Sequence, residues 1–253
     1  MNQFKISPVA PLQRLAAPAA VLMGLTVLLS AALRLEPAGG FVPVARLAHR
    51  LVATGVLVLV VLMVLKARRA GDASARRHSG ALLALVIGLS LLGVVTPHLQ
   101  SPLVVLGNLL GGFAVFVLCL RLAWSRPAPA APAAALRAAL VLAVLQVALG
   151  ALLSGAPPAP DDGLSSVLRP LHILGATAAA LAALALAAHC WHLGRVGWAL
   201  ALGLPPLIQF VLGPWLLRPG LPIAPALLHN ALALTLLSAL VLLLPRDRAS
   251  AAS

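Results

Sequence analysis

The chain has 253 residues, of which 62% are hydrophobic and 9% are charged, and its mean hydropathy is +1.06. A soluble domain of this length needs a charged surface, so the composition excludes one and indicates an integral membrane protein. The net charge of +13 does not indicate a nucleic-acid partner, because the basic residues lie in short runs between apolar segments, where they orient a membrane protein.

Eight apolar runs follow one another along the chain, and most are long enough to cross a bilayer as a helix. Pro18 interrupts the first run and no small-residue cleavage site follows it, so we interpret it as a retained span and not as a signal peptide. The sequence therefore predicts an all-α integral membrane protein with transmembrane helices at 16–33, 44–65, 80–95, 102–124, 134–154, 167–188, 196–217 and 221–244.

The charge of the connecting segments predicts the orientation of these helices. The 66–78 loop contains five basic residues and one acidic residue, whereas the 96–101 loop contains no lysine or arginine and the 155–168 loop carries two aspartates. Basic connections stay in the cytoplasm. Both termini are therefore predicted to be cytoplasmic, and the second, fourth, sixth and eighth helices run from the outer face inward.

Two parts of the sequence repeat one another, which predicts a duplicated architecture. The segment that begins at Arg46 and the segment that begins at Arg169 both read R-x-x-H-x-x-x-A-T. We predict two pseudo-symmetric four-helix bundles: an N-terminal half at 1–124 and a C-terminal half at 134–253, joined by a Pro/Ala-rich cytoplasmic linker at 125–133. Each half has an even number of spans, so the two should share one orientation.

Polar residues recur near the start of each inward-running helix: His49, Asn108, His172 and His229. They lie about five to eight residues in, which is roughly 8–12 Å along a helix axis, and we expect them to share one layer near the outer leaflet. Ionisable residues within a bilayer are costly and are functional-site hypotheses by default.

In the C-terminal half, two imidazoles at one depth in a four-helix bundle can ligate a haem iron axially. His172 and His229 are the candidate ligands, and Arg169 is one turn away, where it can pair with a haem propionate. The plainer alternatives are that each histidine forms a hydrogen bond with a neighbouring helix, and that Arg46 and Arg169 extend to the interface.

In the N-terminal half His49 would be a lone axial ligand, because Asn108 is a poor ligand for iron. A haem held on one side leaves its other face open for a substrate; alternatively, this half is vestigial. His189 and His192 have a spacing that permits a metal site, although a solvated pair is the more expected arrangement. Other expectations are interhelical bonds from Gln146 and Gln209, and buried, unpaired thiols at Cys119 and Cys190.

The chain resembles the haem A synthase family, which has eight helices in two four-helix halves with histidines on the even-numbered helices. The resemblance covers nearly the whole chain. It rests on the order and depth of four short segments: Leu47-Ala48-His49-Arg50, Gln146-Val-Ala-Leu-Gly150, Leu171-His172 and Leu227-Leu228-His229.

The resemblance implies that His172 and His229 ligate a haem b, and that the half containing His49 holds haem O as the substrate, with His49 and Asn108 at the catalytic positions. The reaction would oxidise a ring methyl group to a formyl group, giving haem A for terminal oxidases. The implied setting is a bacterial-type inner (cytoplasmic) membrane, with membrane lipid around the chain and haem O synthase or terminal-oxidase assembly as partners.

The chain departs from the family pattern at two positions: Arg46 stands where a glutamate is usual, and Asn108 stands where a histidine is usual. It is therefore expected to be a divergent member. One alternative is a membrane b-type cytochrome that only transfers electrons or handles haem. Another is a haem-free transporter or assembly scaffold in which the histidines bond between helices.

Overall fold

A computed structural model of the protein describes residues 10–35, 40–95, 101–124, 126–155, 163–216 and 223–245. These residues form eight α-helices, and no strand occurs among them. All eight are long and apolar enough to cross a membrane, which confirms the predicted number of spans. The helices are α1 Ala10–Leu35, α2 Val42–Ala70, α3 Ala73–Val95, α4 Pro102–Ala123, α5 Ala133–Gly155, α6 Gly163–His192, α7 Val196–Leu216 and α8 Ile223–Leu242.

The connection between α2 and α3 is much shorter than the predicted 66–78 loop. Gly71 ends α2 with a φ of 74°, a left-handed conformation that glycine adopts without a steric cost. Asp72 then accepts hydrogen bonds from the backbone N–H groups of Ser74 and Ala75, at 2.8 and 3.2 Å, and so caps α3. The basic residues on both sides are helical, because lysine and arginine are good helix formers.

The helices pack as two closed groups of four. In the first group, α1 contacts α2 and α4, and α3 contacts α2 and α4; in the second, α5 contacts α6 and α8, and α7 contacts α6 and α8. In each group the even-numbered helices therefore lie diagonally across the interior from each other. The two groups meet where α1 and α4 contact α8, and where α4 contacts α5.

Arg121 joins the two groups at the end of the molecule where α4 and α8 finish. Its guanidinium donates hydrogen bonds to the backbone oxygens of Val241 at 2.9 Å, Leu244 at 3.4 Å and Pro245 at 2.7 Å. Val241 is in the last turn of α8, where backbone oxygens have no partner within the helix. A cation at this position also complements the helix dipole.

Glycines allow α1 to pack closely against its neighbours. A Cβ added to Gly55 of α2 would lie 3.0 Å from Leu22, and one added to Gly112 of α4 would lie 3.0 Å from Val27. Small residues at helix interfaces are how membrane helices approach each other. Each of these contacts also fixes which turn of α1 faces which turn of α2 or α4.

Large apolar side chains cover much of the outer surface: Leu103, for example, is 74% exposed. In water such a surface would be unfavourable, whereas lipid accommodates it. The two thiols are instead inside. Cys119 and Cys190 are both buried and unpaired, as the sequence predicted.

Candidate functional site

The three intramembrane histidines lie on the inward-facing stripes of their helices. Buried residues recur on α2 at intervals of three or four, including Ala45 and Val56, and His49 falls on that stripe. His172 falls on the corresponding stripe of α6, four residues after the buried Leu168, and His229 precedes the buried Leu237 of α8 by eight residues. All three rings are half-buried.

Each of these rings contains a buried nitrogen that lacks a hydrogen-bond partner among the described residues. The atom is Nδ1 in His49, in His172 and in His229. A buried polar atom without a partner costs about 1–3 kcal/mol. If the histidines served only to bond neighbouring helices, these atoms would have partners. The observation therefore favours a ligand in the second half, where two such rings come from diagonally opposed helices.

His172 and His229 lie close enough for their charges to interact. They come from α6 and α8, which lie opposite each other in the second group, so the two rings approach from opposite sides of its interior. A Cβ added to Gly150 of α5 would lie 3.4 Å from Cε1 of His172. Glycine at this position therefore gives the His172 ring room beside α5.

Two glutamines flank this pair of histidines. Gln146 of α5 packs its amide against Gly175 of α6, leaving no room for a Cβ there, and its buried Oε1 has no hydrogen-bond partner within the described part of the chain. Gln209 of α7 donates from Nε2 to the backbone oxygen of His229, at 3.1 Å. The prediction that Gln209 bonds between helices is confirmed, and Gln146 contacts α6 beside His172.

The first half places its two polar residues, His49 and Asn108, on the diagonally opposed helices α2 and α4. The ring of His49 lies near the backbone of Thr26 in α1. Asn108 is four residues before Gly112 of α4, which faces Val27 of α1. A single layer that includes Asn108 stays a prediction.

The repeated threonines do not belong to the site. Thr54 Oγ1 donates to the backbone oxygen of Arg50 at 2.8 Å, and Thr177 Oγ1 donates to that of Ile173 at 3.0 Å. Both are exposed and bond one turn back within their own helices. The two copies of the repeat thus have the same local structure.

The arginines of the repeat, Arg46 and Arg169, are exposed at the flanks of their helices.

The two histidines at the end of α6, His189 and His192, do not form a pair around one site. The His189 ring contacts the backbone oxygen of Ala130 in the linker through Nε2, at 3.1 Å, and His192 is exposed. The described residues contain no cluster of three or more histidines, cysteines or acids that could hold a metal ion.

The sequence did not single out Arg34, which the structure places on the inward-facing stripe of α1. It follows the buried Val27 and Ala31 at intervals of seven and three residues, and its Nε is buried with no hydrogen-bond partner among the described residues. The spacing of Arg34 from Val27 and Ala31 is the feature of the sequence that could have identified it as inward-facing. Glu36 and His98, whose roles the sequence leaves open, lie outside the described residues, as do Asp161 and Asp162.

No protein-family model matches the chain, and no curated protein matches it. The fold itself defines a class, an all-helical protein with eight helices able to cross a membrane. Within that class, the function of this protein is inferred from His172 on α6 and His229 on α8.

Proposed function

We propose that the protein is a haem-dependent oxidoreductase of the inner membrane, similar to haem A synthase. It holds a haem b between His172 and His229 and acts on haem O in its first half. The observation that carries the proposal is the pair of histidines, on diagonally opposed helices, that lie within electrostatic range of each other.

The residues around this pair suit a haem. Axial ligation by two histidines requires imidazoles that approach from opposite sides, as the arrangement of α6 and α8 allows. A ligating histidine commonly donates its other ring N–H to an acceptor. Gln146 offers a buried Oε1 without a described partner on the adjacent α5, and Nδ1 of His172 is buried and also without one. Arg169, one turn before His172 and exposed, would pair with a propionate.

A bound haem b would supply one-electron transfer. The chain's own contribution is to hold and orient the two imidazoles. Gly150 leaves room for the His172 ring, and the Gln209 hydrogen bond fixes the backbone at His229. The surrounding apolar helices exclude water from the ligands.

Haem O is proposed to bind in the first half, where His49 would be a lone axial ligand because Asn108 is a poor ligand for iron. Oxidation of a ring methyl group to a formyl group would remove four electrons and four protons and add one oxygen atom from water, and an electron acceptor outside the chain would take up the electrons. The product, haem A, would pass to terminal-oxidase assembly, and haem O synthase would supply the substrate.

The proposal includes the orientation of the chain, with both termini in the cytoplasm and the two bundles related by a pseudo-twofold axis. It is supported by the five basic residues around the α2–α3 turn, Lys66, Arg68, Arg69, Arg76 and Arg77. The equivalent contacts within the two groups of four helices support the duplication.

The test is to purify the full chain from a host that makes haem O and to extract its haem. We expect haem b together with haem A. Haem b without haem A, in repeated preparations, would contradict synthase activity, whereas haem-free protein would contradict the histidine site as well and leave a transporter or scaffold as the function.

The second candidate is a b-type cytochrome that only transfers electrons or handles haem. One observation favours it: Arg46, which stands where the family pattern usually has a glutamate, is exposed on a flank of α2. This candidate predicts haem b in the second half and no conversion of haem O.

A further inference from the structure

We propose that the start of α2 carries a binding cleft for an acidic phospholipid, in which Arg46 and Arg50 hold the lipid phosphate. The cleft has a volume of about 310 Å³ and is lined by Val42, Pro43, Arg46, Leu47 and Arg50. The lining does not include His49, although Arg50 is within electrostatic range of that ring, and the inference does not depend on the proposed function.

The two arginines are one helical turn apart, so their side chains extend from the same face of α2. Both are exposed, and the apolar Leu47 between them is 58% exposed. The cleft therefore combines two cationic groups with an apolar lining. Its matching ligand is an amphiphile with an anionic head and a hydrocarbon tail, which describes an acidic lipid of the surrounding bilayer.

The two charges need a partner from outside the described part of the protein. Arg46 and Arg50 are four and eight residues into a helix that is able to span the membrane, which is roughly 6 and 12 Å along its axis. The single carboxylate among the described residues, Asp72, lies beyond the other end of α2. A charged side chain at such a depth is costly unless it is paired or extends to the interface.

A phosphate meets this requirement because guanidinium groups bind phosphate oxygens through pairs of parallel N–H···O hydrogen bonds. A lipid is favoured over a soluble anion because the apolar lining of the cleft would otherwise be left without an occupant. The phosphates of a bilayer are also held within reach of side chains at this depth.

The second copy of the repeat lacks this pair. Arg169 corresponds to Arg46, but Ile173 stands where Arg50 stands in the first copy. The arginine pair is therefore not a general property of the repeated helix, and the lipid site is assigned to the first half alone.

The test is native mass spectrometry of the detergent-solubilised full chain, titrated with phosphatidylglycerol and, separately, with phosphatidylcholine. We expect one tight phosphatidylglycerol, and about twenty-five-fold weaker binding of it in the double variant Arg46→Gln/Arg50→Gln, since each basic residue near an anionic lipid contributes about fivefold. The matched control, Arg68→Gln/Arg69→Gln, removes the same charge from the other end of α2. It should weaken the binding of phosphatidylglycerol less than about twofold.

Equal losses in the two double variants would overturn the proposal, because they would indicate attraction to net charge alone. Equally tight binding of phosphatidylcholine would overturn the preference for an acidic lipid. Inorganic phosphate should not displace the bound lipid at equal concentration; if it does, the cleft is a site for soluble anions and the lipid assignment is wrong.

Discussion

The two halves of the molecule share a scaffold and differ in what they place inside it. Each is a closed group of four helices, and each has a histidine on its first even-numbered helix. In the second half that histidine, His172, is within electrostatic range of His229; in the first half, His49 lies near the backbone of Thr26. A repeated scaffold thus fixes where a site can form, while a few side chains decide whether it does.

The side chains that cover glycines near the histidines also differ between the two halves. In the first half, glycines are covered by apolar side chains, as where Val27 covers Gly112. In the second half, Gly150 and Gly175 are instead covered by His172 and Gln146. Polar side chains therefore cover glycines beside the histidines of the second half, whereas apolar side chains cover the glycines of the first half.

The largest expected effect is loss of haem b from variants of the second half. His172→Ala and His229→Ala should each abolish the reduced-minus-oxidised haem b spectrum, since each removes an axial ligand. His49→Ala should retain that spectrum. The exposed His192 provides the control, and His192→Ala should leave the spectrum as it is. An unchanged spectrum in His172→Ala or His229→Ala would show that the second half contains no bis-histidine haem site.

The proposed orientation of the two halves predicts an all-or-none labelling pattern. Cysteines introduced by Ala70→Cys at the end of α2 and by Arg195→Cys after α6 should react with an impermeant maleimide from the cytoplasmic side only. Gly40→Cys, before α2, should react from the outer side only. The native thiols are buried and give a low background. Labelling of Ala70→Cys and Arg195→Cys from opposite sides would show that the halves are inverted relative to each other.

Contact between Gln146 and Gly175 predicts a stability effect confined to the second half. Gly175→Ala forces the amide away from α6 and should lower the free energy of unfolding by about 1–3 kcal/mol, as overpacking usually does. Thermal unfolding measures the loss. Gly213→Ala is the control because its Cβ meets nothing within 4 Å. The double variant Gln146→Ala/Gly175→Ala should recover most of the loss; no recovery would mean that another contact is responsible.

The smallest expected effect is that of Asn108→His, which restores a histidine to the first half. Because apolar side chains, and not a histidine or glutamine, cover the interior glycines of the first half, the new imidazole should not complete a second bis-histidine site. Quantitative haem extraction should therefore give the same haem b content per chain as the original protein. A doubled haem b content would show that the two halves form equivalent sites.

Much of the fold follows from the sequence because lipid selects long apolar runs, and all eight predicted spans are helices. The start of α3 was missed, because hydropathy falls at the basic residues whereas the helix begins at the Asp72 cap. The capping of α8 by Arg121 was also missed, since it joins residues 120 or more positions apart.

The candidate site was predictable where helical periodicity decides it. His172 and His229 fall on inward-facing stripes of alternate helices, so their approach follows from the order of the helices. The close approach of Gly112 to Val27 was not predictable in this way, because it is a property of two packed surfaces and not of either sequence segment. Arg34 was missed because its burial depends on the helices packed around the end of α1.

The most direct test of the central claim is the axial ligation and stoichiometry of haem in the unmodified, purified chain, by electron paramagnetic resonance with quantitative haem extraction. The account predicts one low-spin haem b per chain with two histidine ligands, in addition to any substrate haem. Protein purified from haem-replete cells that contains no low-spin haem b would contradict it.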